Sequence, residues 1–416
     1  MSLRLSSKQV LLVVGLLLFV LASTAARPGS RPGIAGRLLP PPIPSSSGKT
    51  YYVSTTGDDS NRGTFEEPWL TVQHALDTLD FGDTALVRDG TYSENLLATR
   101  QGRGVKPITI ANYPGERPVL RPEGGLENSY PIAIDSASYH RLQGFVIEGA
   151  LGPSSANVYL SRGSHHIEIS RNEIRNSSDQ GIFGDRTTHD LQIIGNAIHD
   201  NGPSPIHQSH GIYLEGVDQF VANNVVYDNH HGYGIHVYPI ADRVLIVHNT
   251  VVGNGNVENS SGGIILGGGS GTTVNDTKIV NNIVAFNAAM GIRSFFPEWV
   301  LQPEGNEAYS NVGFGNPGGD FSTYDGGGID YSNGNIVSDP LFLDVEANDF
   351  RLGPESPAVD RAMYSWSPDT DVDGVVRPQG PMPDSGAFES HCALAVERGR
   401  PLLRYTPYDG RCDVFS

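Results

Sequence analysis

The sequence predicts an all-β fold, a right-handed parallel β-helix (a single-stranded solenoid) with one N-terminal capping helix. Three observations point there. An Asn-centred motif recurs along the chain, apolar residues alternate within it, and 50 of the 416 residues are Gly while only 18% are charged. That composition suits neither a helical bundle nor a disordered chain, and a chain this long can bury a large core.

The motif appears five times, as "RNEI", "GNAI", "NNVV", "HNTV" and "NNIV", centred on Asn172, Asn196, Asn224, Asn249 and Asn282. A second Asn follows at Asn176, Asn201, Asn229, Asn254 and Asn287, and a Gly-Ile pair begins downstream at Gly181, Gly211, Gly234, Gly263 and Gly291. Alternation places Ile167, Ile169, Leu191, Ile193, Val221, Val244, Ile246 and Ile279 on one face. A unit with one apolar face cannot bury it alone, so units must stack. Parallel strands lie about 4.8 Å apart, which sets each Asn on the Asn below and lets the amides bond as a ladder. Asn also tolerates the left-handed backbone of a tight corner. Leucine-rich and propeller repeats fit worse, because neither signature appears.

The ends follow from the same logic, since a solenoid needs caps. "PWLTVQHALDTL" (68–79) is the best amphipathic helix, with Trp69, Val72, Ala75 and Leu76 on one side. Before it, residues 1–26 read as a signal peptide or signal anchor: Arg4 and Lys8 precede thirteen apolar residues and "STAA". Residues 27–49 form a Pro/Gly/Ser-rich linker, and the β-helix with its cap occupies 50–390. The tail 391–416 carries the only two cysteines, Cys392 and Cys412, expected to pair in an exported chain.

Charge bounds the partners. Residues 1–49 hold six of the 28 basic residues and none of the 46 acidic ones, leaving 22 against 46 thereafter. Such a field opposes nucleic acid and anionic membrane. A polyanionic substrate needs a local cluster of basic residues or a cation.

"TYYVSTTGDDSNRGTFEEPWLTVQHALDTLDFGDTALVRDGTYSENL" resembles the opening of secreted β-helix proteins in the pectate-lyase-like superfamily: strand, Gly-rich turn, capping helix, then a Gly-Asp strand ending in Gly-Thr-Tyr. "SDPLFLDVEANDFRLGPESPAVDRA" and "DSGAFE" resemble their C-terminal closure. The resemblance covers residues 50–390. It implies the fold and a secreted or cell-surface location. It leaves the activity open, because the superfamily includes lyases, epimerases, hydrolases and proteins without assigned chemistry.

Stacking the Gly-Ile strands defines a candidate site. Ile at each second position points inward, so the next residues point out: Phe183, Tyr213, His236, Ile265 and Arg293. Two residues on, the same face carries Asp185, Glu215, Tyr238, Gly267 and Phe295. His210 precedes its own pair, with His207 one corner away. The expected catalytic set is therefore His236, Tyr213, Arg293, His210, Tyr238, Glu215 and Asp185, facing a groove where a linear polysaccharide would lie.

Two chemistries fit. Uronate β-elimination needs a base (His236 or Tyr213), an acid (Tyr238 or His210) and a neutraliser for the carboxylate (Arg293). Arg293 stands two coils from His236, roughly 10 Å along the axis. Glycoside hydrolysis would use Asp185 and Glu215, on neighbouring coils at about the 5 Å of a retaining pair. The net negative charge favours a neutral glycan and helps this second chemistry, but elimination stands as the first reading and hydrolysis as the second. The third reading is a non-catalytic glycan-binding solenoid, since outward polar residues on such a scaffold are usually just solvated. A monomer is expected.

No cofactor is called for. "DTDVDG" (369–374) begins like a calcium loop, but its twelfth position is Gly380 rather than Glu. There is no tight Asp cluster of the kind the pectate-lyase resemblance would supply for calcium. His207, His210 and His236 lack the spacing of a helix-borne zinc motif. His165, His166, His189, His230, His231 and His248 fall near turns and read as surface or ladder residues. Beyond the linker, lysine occurs only at Lys106 and Lys278, and Lys278 lies on a different strand row.

Overall fold

A computed structural model describes residues 48–390, apart from 102–105, 125–128, 204–208 and 325–326, together with short strands between 396 and 414. The predicted signal and nearly all of the linker, His207 and Cys392 lie outside the described residues. Cys412 begins the strand Cys412–Val414.

The chain winds as a right-handed parallel β-helix. Three parallel sheets run its length. Sheet A has eleven strands, from Thr50–Val53 to Asp330–Asn333. Sheet B has ten, from Thr91–Ser93 to Ile336–Val337, and sheet C nine, from Leu96–Ala98 to Phe321–Tyr324. One coil runs Ala156–Ser161 in sheet C, His165–Ser170 in A and Glu173–Arg175 in B, then re-enters C at Gln180–Gly184. Every residue expected on the apolar face, from Ile167 to Ile279, is buried inside this tube.

The Asn rows hold the corners. At the A–B corner, Nδ2 of Asn172, Asn196, Asn224, Asn249 and Asn282 each donates to the Oδ1 of the Asn one coil on, and the row continues through Asn311 to Asn335. A second ladder runs Asn201, Asn229, Asn254, Asn287, Asn316. Asn176 is not part of it. It sits at φ +55 on the corner, and Ser177 takes the ladder place, its backbone N–H donating to Asn201. The left-handed backbone expected of the ladder residues belongs instead to their predecessors, among them Arg171, Asn223, His248 and Asn281. The repeated Gly has a steric origin. A Cβ on Gly211 would lie 2.7 Å from the Gly234 carbonyl oxygen and 2.9 Å from Asn229 Nδ2.

The capping helix α1 is shorter than predicted, Val72–Thr78, because Thr71 is its N-cap and accepts from His74 N–H. Glu94 accepts from the Val72 and Gln73 amides, satisfying donors a helix start leaves free. Trp69 precedes the helix, stacks 4.5 Å from Tyr51 and is buried with Val72, Ala75 and Leu76. At the other end, the C-terminal segment folds back over the outer face of sheet B. Phe350, Val372, Ala387 and Phe388 pack on Val225, Tyr227 and Val252. Buried His248 bonds the Gly386 carbonyl there, so it is neither a surface nor a ladder residue.

Candidate active site

The outer face of sheet C keeps the expected register. Phe183 pairs with Tyr213, Tyr213 with His236, His236 with Ile265, and Ile265 with Arg293. The row extends upstream into an aromatic stripe absent from the sequence reading. Tyr130 lies 4.7 Å from Tyr159, Tyr159 5.1 Å from Phe183, Phe183 5.3 Å from Tyr213, and Tyr213 4.8 Å from His236. Tyr159 went unnoticed because its strand, "ANVYLS", has no Gly-Ile pair. Its place is visible only from Val158 aligning with Ile182.

At the centre, His236 Nδ1 lies 2.7 Å from His210 Nε2, and the Tyr233 backbone N–H donates to His210 Nδ1 at 2.8 Å. These two bonds fix the tautomers. His210 accepts at Nδ1, so its proton is on Nε2 and is donated to His236 Nδ1. Neutral His236 then carries its own proton on Nε2. Burial pushes the His236 imidazole down to about 3. It also holds His210 well below its usual value, with the neighbouring His236 adding to the effect. Both rings are neutral at ordinary pH. His210 has no nitrogen left for an acid role or for a metal, and His236 offers a donor rather than a base. A zinc trio of His207, His210 and His236 is therefore not favoured by the two rings described. Tyr233 also escaped sequence reasoning, since its contribution here is a backbone group.

Around this pair, Tyr213 stacks on His236 at 12° between planes and Tyr238 lies 5.2 Å away. Burial raises the Tyr213 phenol, and Glu215 raises it further. Burial also raises Glu215. The Tyr213 hydroxyl and Arg186 oppose that shift, and Asp185 adds to it. Arg186 Nε is 3.8 Å from the Glu215 carboxylate. Asp185, by contrast, is engaged in its own turn: Oδ1 accepts from Thr187 N–H and Oγ1, and Oδ2 from Arg162 N–H. Arg293 lies over Tyr324 with Cζ 5.3 Å from the ring centroid, and its charge acts on Tyr233 in the His236 coil. The two-coil gap is thus within its reach. Exposed Arg162 and Arg186 flank the same strands, each beside a carboxylate, Asp135 at 3.0 Å and Glu215 at 3.8 Å.

Asp371 accepts from the Asp373, Val375 and Glu389 amides, which ties the C-terminal segment together.

Comparison with known proteins agrees with the fold. The uncharacterized protein YwoF of Bacillus subtilis (strain 168) is 29% identical over 299 residues, 64% of this chain and 63% of that protein. Pectate lyase PEL9 of Emericella nidulans is 31% identical over 80 residues, 19% of this chain and 20% of that one. The chain thus spans less than two thirds of either relative. The crystal structure of pectate lyase Pel9A superposes with a TM-score of 0.56 at 19% identity, covering 83% of this chain and 97% of that one. The family described as "Pel9A-like, right handed beta helix region" matches residues 51–325. This chain belongs to that Pel9A-like right-handed β-helix family.

Proposed function

We propose that the protein is an exported enzyme that cleaves a uronate-containing polysaccharide by β-elimination on the outer face of sheet C. The observation that carries this reading is the His210–His236 pair, which presents a neutral imidazole N–H beside the Tyr213–Glu215 pair. Arg293, held over the Tyr324 ring, supplies a cation for an acidic substrate despite the net charge of -18. The lyase names of the relatives add to it.

In this mechanism the aromatic stripe stacks on sugar faces, and Arg293 pairs with the uronate carboxylate. Tyr213 oxygen takes the proton α to that carboxylate while its own hydroxyl proton passes to Glu215, a carboxylate made more basic by burial. The C–H electron pair becomes the new C=C bond, and the C–O pair leaves with the glycosidic oxygen, which takes a proton from Tyr238. His236 Nε2–H donates to the charge that develops on the carboxylate, where a fixed donor contributes most. His210 positions His236.

Glu215 also favours a second reading, since a raised carboxyl suits the general acid of a glycosidase, with Asp185 on the preceding coil. A panel of neutral and uronic polysaccharides separates the two. Elimination leaves unsaturated ends that absorb in the ultraviolet, and hydrolysis leaves new reducing ends without absorbance. The proposal expects absorbance from uronic polymers alone, lost in Y213F, H236A and R293A and largely kept in D185N. Reducing ends without absorbance, abolished by D185N, would establish the hydrolase instead. Binding without turnover on every polymer would leave a glycan-binding scaffold.

A further inference from the structure

At the corner between sheets C and A, away from the His210–His236 pair, two successive coils bring three more histidines together. His165 and His166 open the strand His165–Ser170, and His189 lies one coil on, paired with His165 as an isolated parallel bridge. The His165 and His189 rings stack at 4.6 Å and 5°. His165 Nδ1 and His166 Nδ1 are 2.8 Å apart. Asp190 Oδ2 is 2.7 Å from His189 Nδ1 and 3.7 Å from His166 Nδ1. One nitrogen from each of the three imidazoles lies within 4.8 Å of the others. Left-handed backbone at His166 (φ +53) and Asp190 (φ +53) turns both side chains into this corner.

We propose that His165, His166, His189 and Asp190 bind one divalent transition-metal ion of the zinc class. Three imidazole nitrogens and one carboxylate oxygen make the four-donor set such an ion takes. Calcium, which seeks six to eight oxygens, is disfavoured. Metal–nitrogen bonds of about 2.0–2.1 Å in a tetrahedron need donors roughly 3.3 Å apart, so the stacked His165 and His189 rings must turn out of their parallel stack to aim both nitrogens at one ion. The side chains of His166, His189 and Asp190 are each about two-fifths exposed, which leaves a path for entry. A neutral ring moves its proton from Nδ1 to Nε2 on binding, and any imidazolium proton leaves to solvent. The ion would then staple the coil of His165 and His166 to the coil of His189 and Asp190.

The test is a calorimetric titration of the tag-free, chelator-treated full chain with zinc chloride, repeated with calcium chloride, plus a cobalt(II) absorption spectrum. Expected are one zinc per chain, release of protons seen as a buffer-dependent heat, and four-coordinate cobalt bands. H166Q and H189Q should each weaken zinc at least tenfold and abolish the zinc-induced rise in melting temperature, while H230Q changes nothing. The melting temperature of each metal-free variant reports whether it has folded, and either histidine variant alone suffices. Absence of saturable zinc binding, undiminished zinc binding in both variants, or calcium binding as tight as zinc overturns the proposal.

Discussion

Asn224 donates its side-chain amide to Asn249 Oδ1 at 2.9 Å and to the Ile193 carbonyl at 2.8 Å, while its own Oδ1 accepts from both the backbone and side-chain N–H of Asn196. Both asparagines are fully buried. Replacing Asn224 by Ala strands donors and acceptors on two coils at about 1–3 kcal/mol for each unsatisfied group. Denaturant unfolding of N224A should show that loss. A change under about 0.5 kcal/mol, as for an exposed site, would mean that the ladder does not hold the coils.

Deletion of residues 66–80 removes α1 and Trp69 together. The apolar cross-section of the first coil, with Val53, Ala85 and Leu96 beneath, then meets water, and the open end invites association. Light scattering should show aggregation. A soluble deletion variant that unfolds cooperatively would show that the helix is not a cap.

Acid should weaken the fold through its buried imidazoles. Burial pushes His236 down to about 3 and His140 to about 4, and it lowers His248 and His210 as well. Below pH 6.5 the unfolded chain takes up protons that the folded chain refuses, so stability falls as pH falls towards those depressed values. Each such group contributes a slope of about 1.4 kcal/mol per pH unit. H236N should flatten the curve by about one proton between pH 4 and 6. It should also cost stability, because His236 is 8% exposed and bonded to His210, rather than solvated as its outward position suggested. Turnover should lack an imidazole limb near pH 6.5, and finding one titrated by His236 would show that the ring is not held neutral.

Arg377 and Glu389 form a salt bridge of 3.0 Å whose side chains are 1% and 0% exposed. Arg377 also donates to the Asp384 and Gly386 carbonyls. R377A leaves a buried carboxylate without its partner, a change of about 3–5 kcal/mol. Limited proteolysis should then cut the C-terminal segment early, and E389Q should partly restore the R377A variant.

What the sequence made legible was whatever repeats. The period, the inward Ile row and the cap follow from spacing, and that register put Tyr213, His236 and Arg293 on one face. Features that depend on a single backbone group or on loop length were hidden. The proton on His236 is set by the Tyr233 amide. Asn176 looked like a ladder residue, yet the ladder place falls five residues after the first Asn in each coil, and at that place this coil carries Ser177. His165 and His189 each stand seven residues before the first Asn of their repeat, with His166 and Asp190 next in line, so the register aligned a cluster that a reading confined to the Gly-Ile strands passed over. Arg377 and Asn223 meet across 154 positions, which no local pattern reveals.

That last distance bears on how the chain is made. A stack of coils can in principle assemble in the order it leaves the ribosome, each turn settling on the one before. Here the outer surface of the central turns is sealed by residues near 370–389, through Asn223 to Thr370, His248 to Gly386 and Thr250 to Ala387. Val225, Tyr227 and Val252 therefore wait, uncovered, while more than a hundred further residues are synthesised. A nascent chain stopped at residue 340 would have its ladders and its groove, yet it would carry a greasy flank that only residues 350–388 conceal.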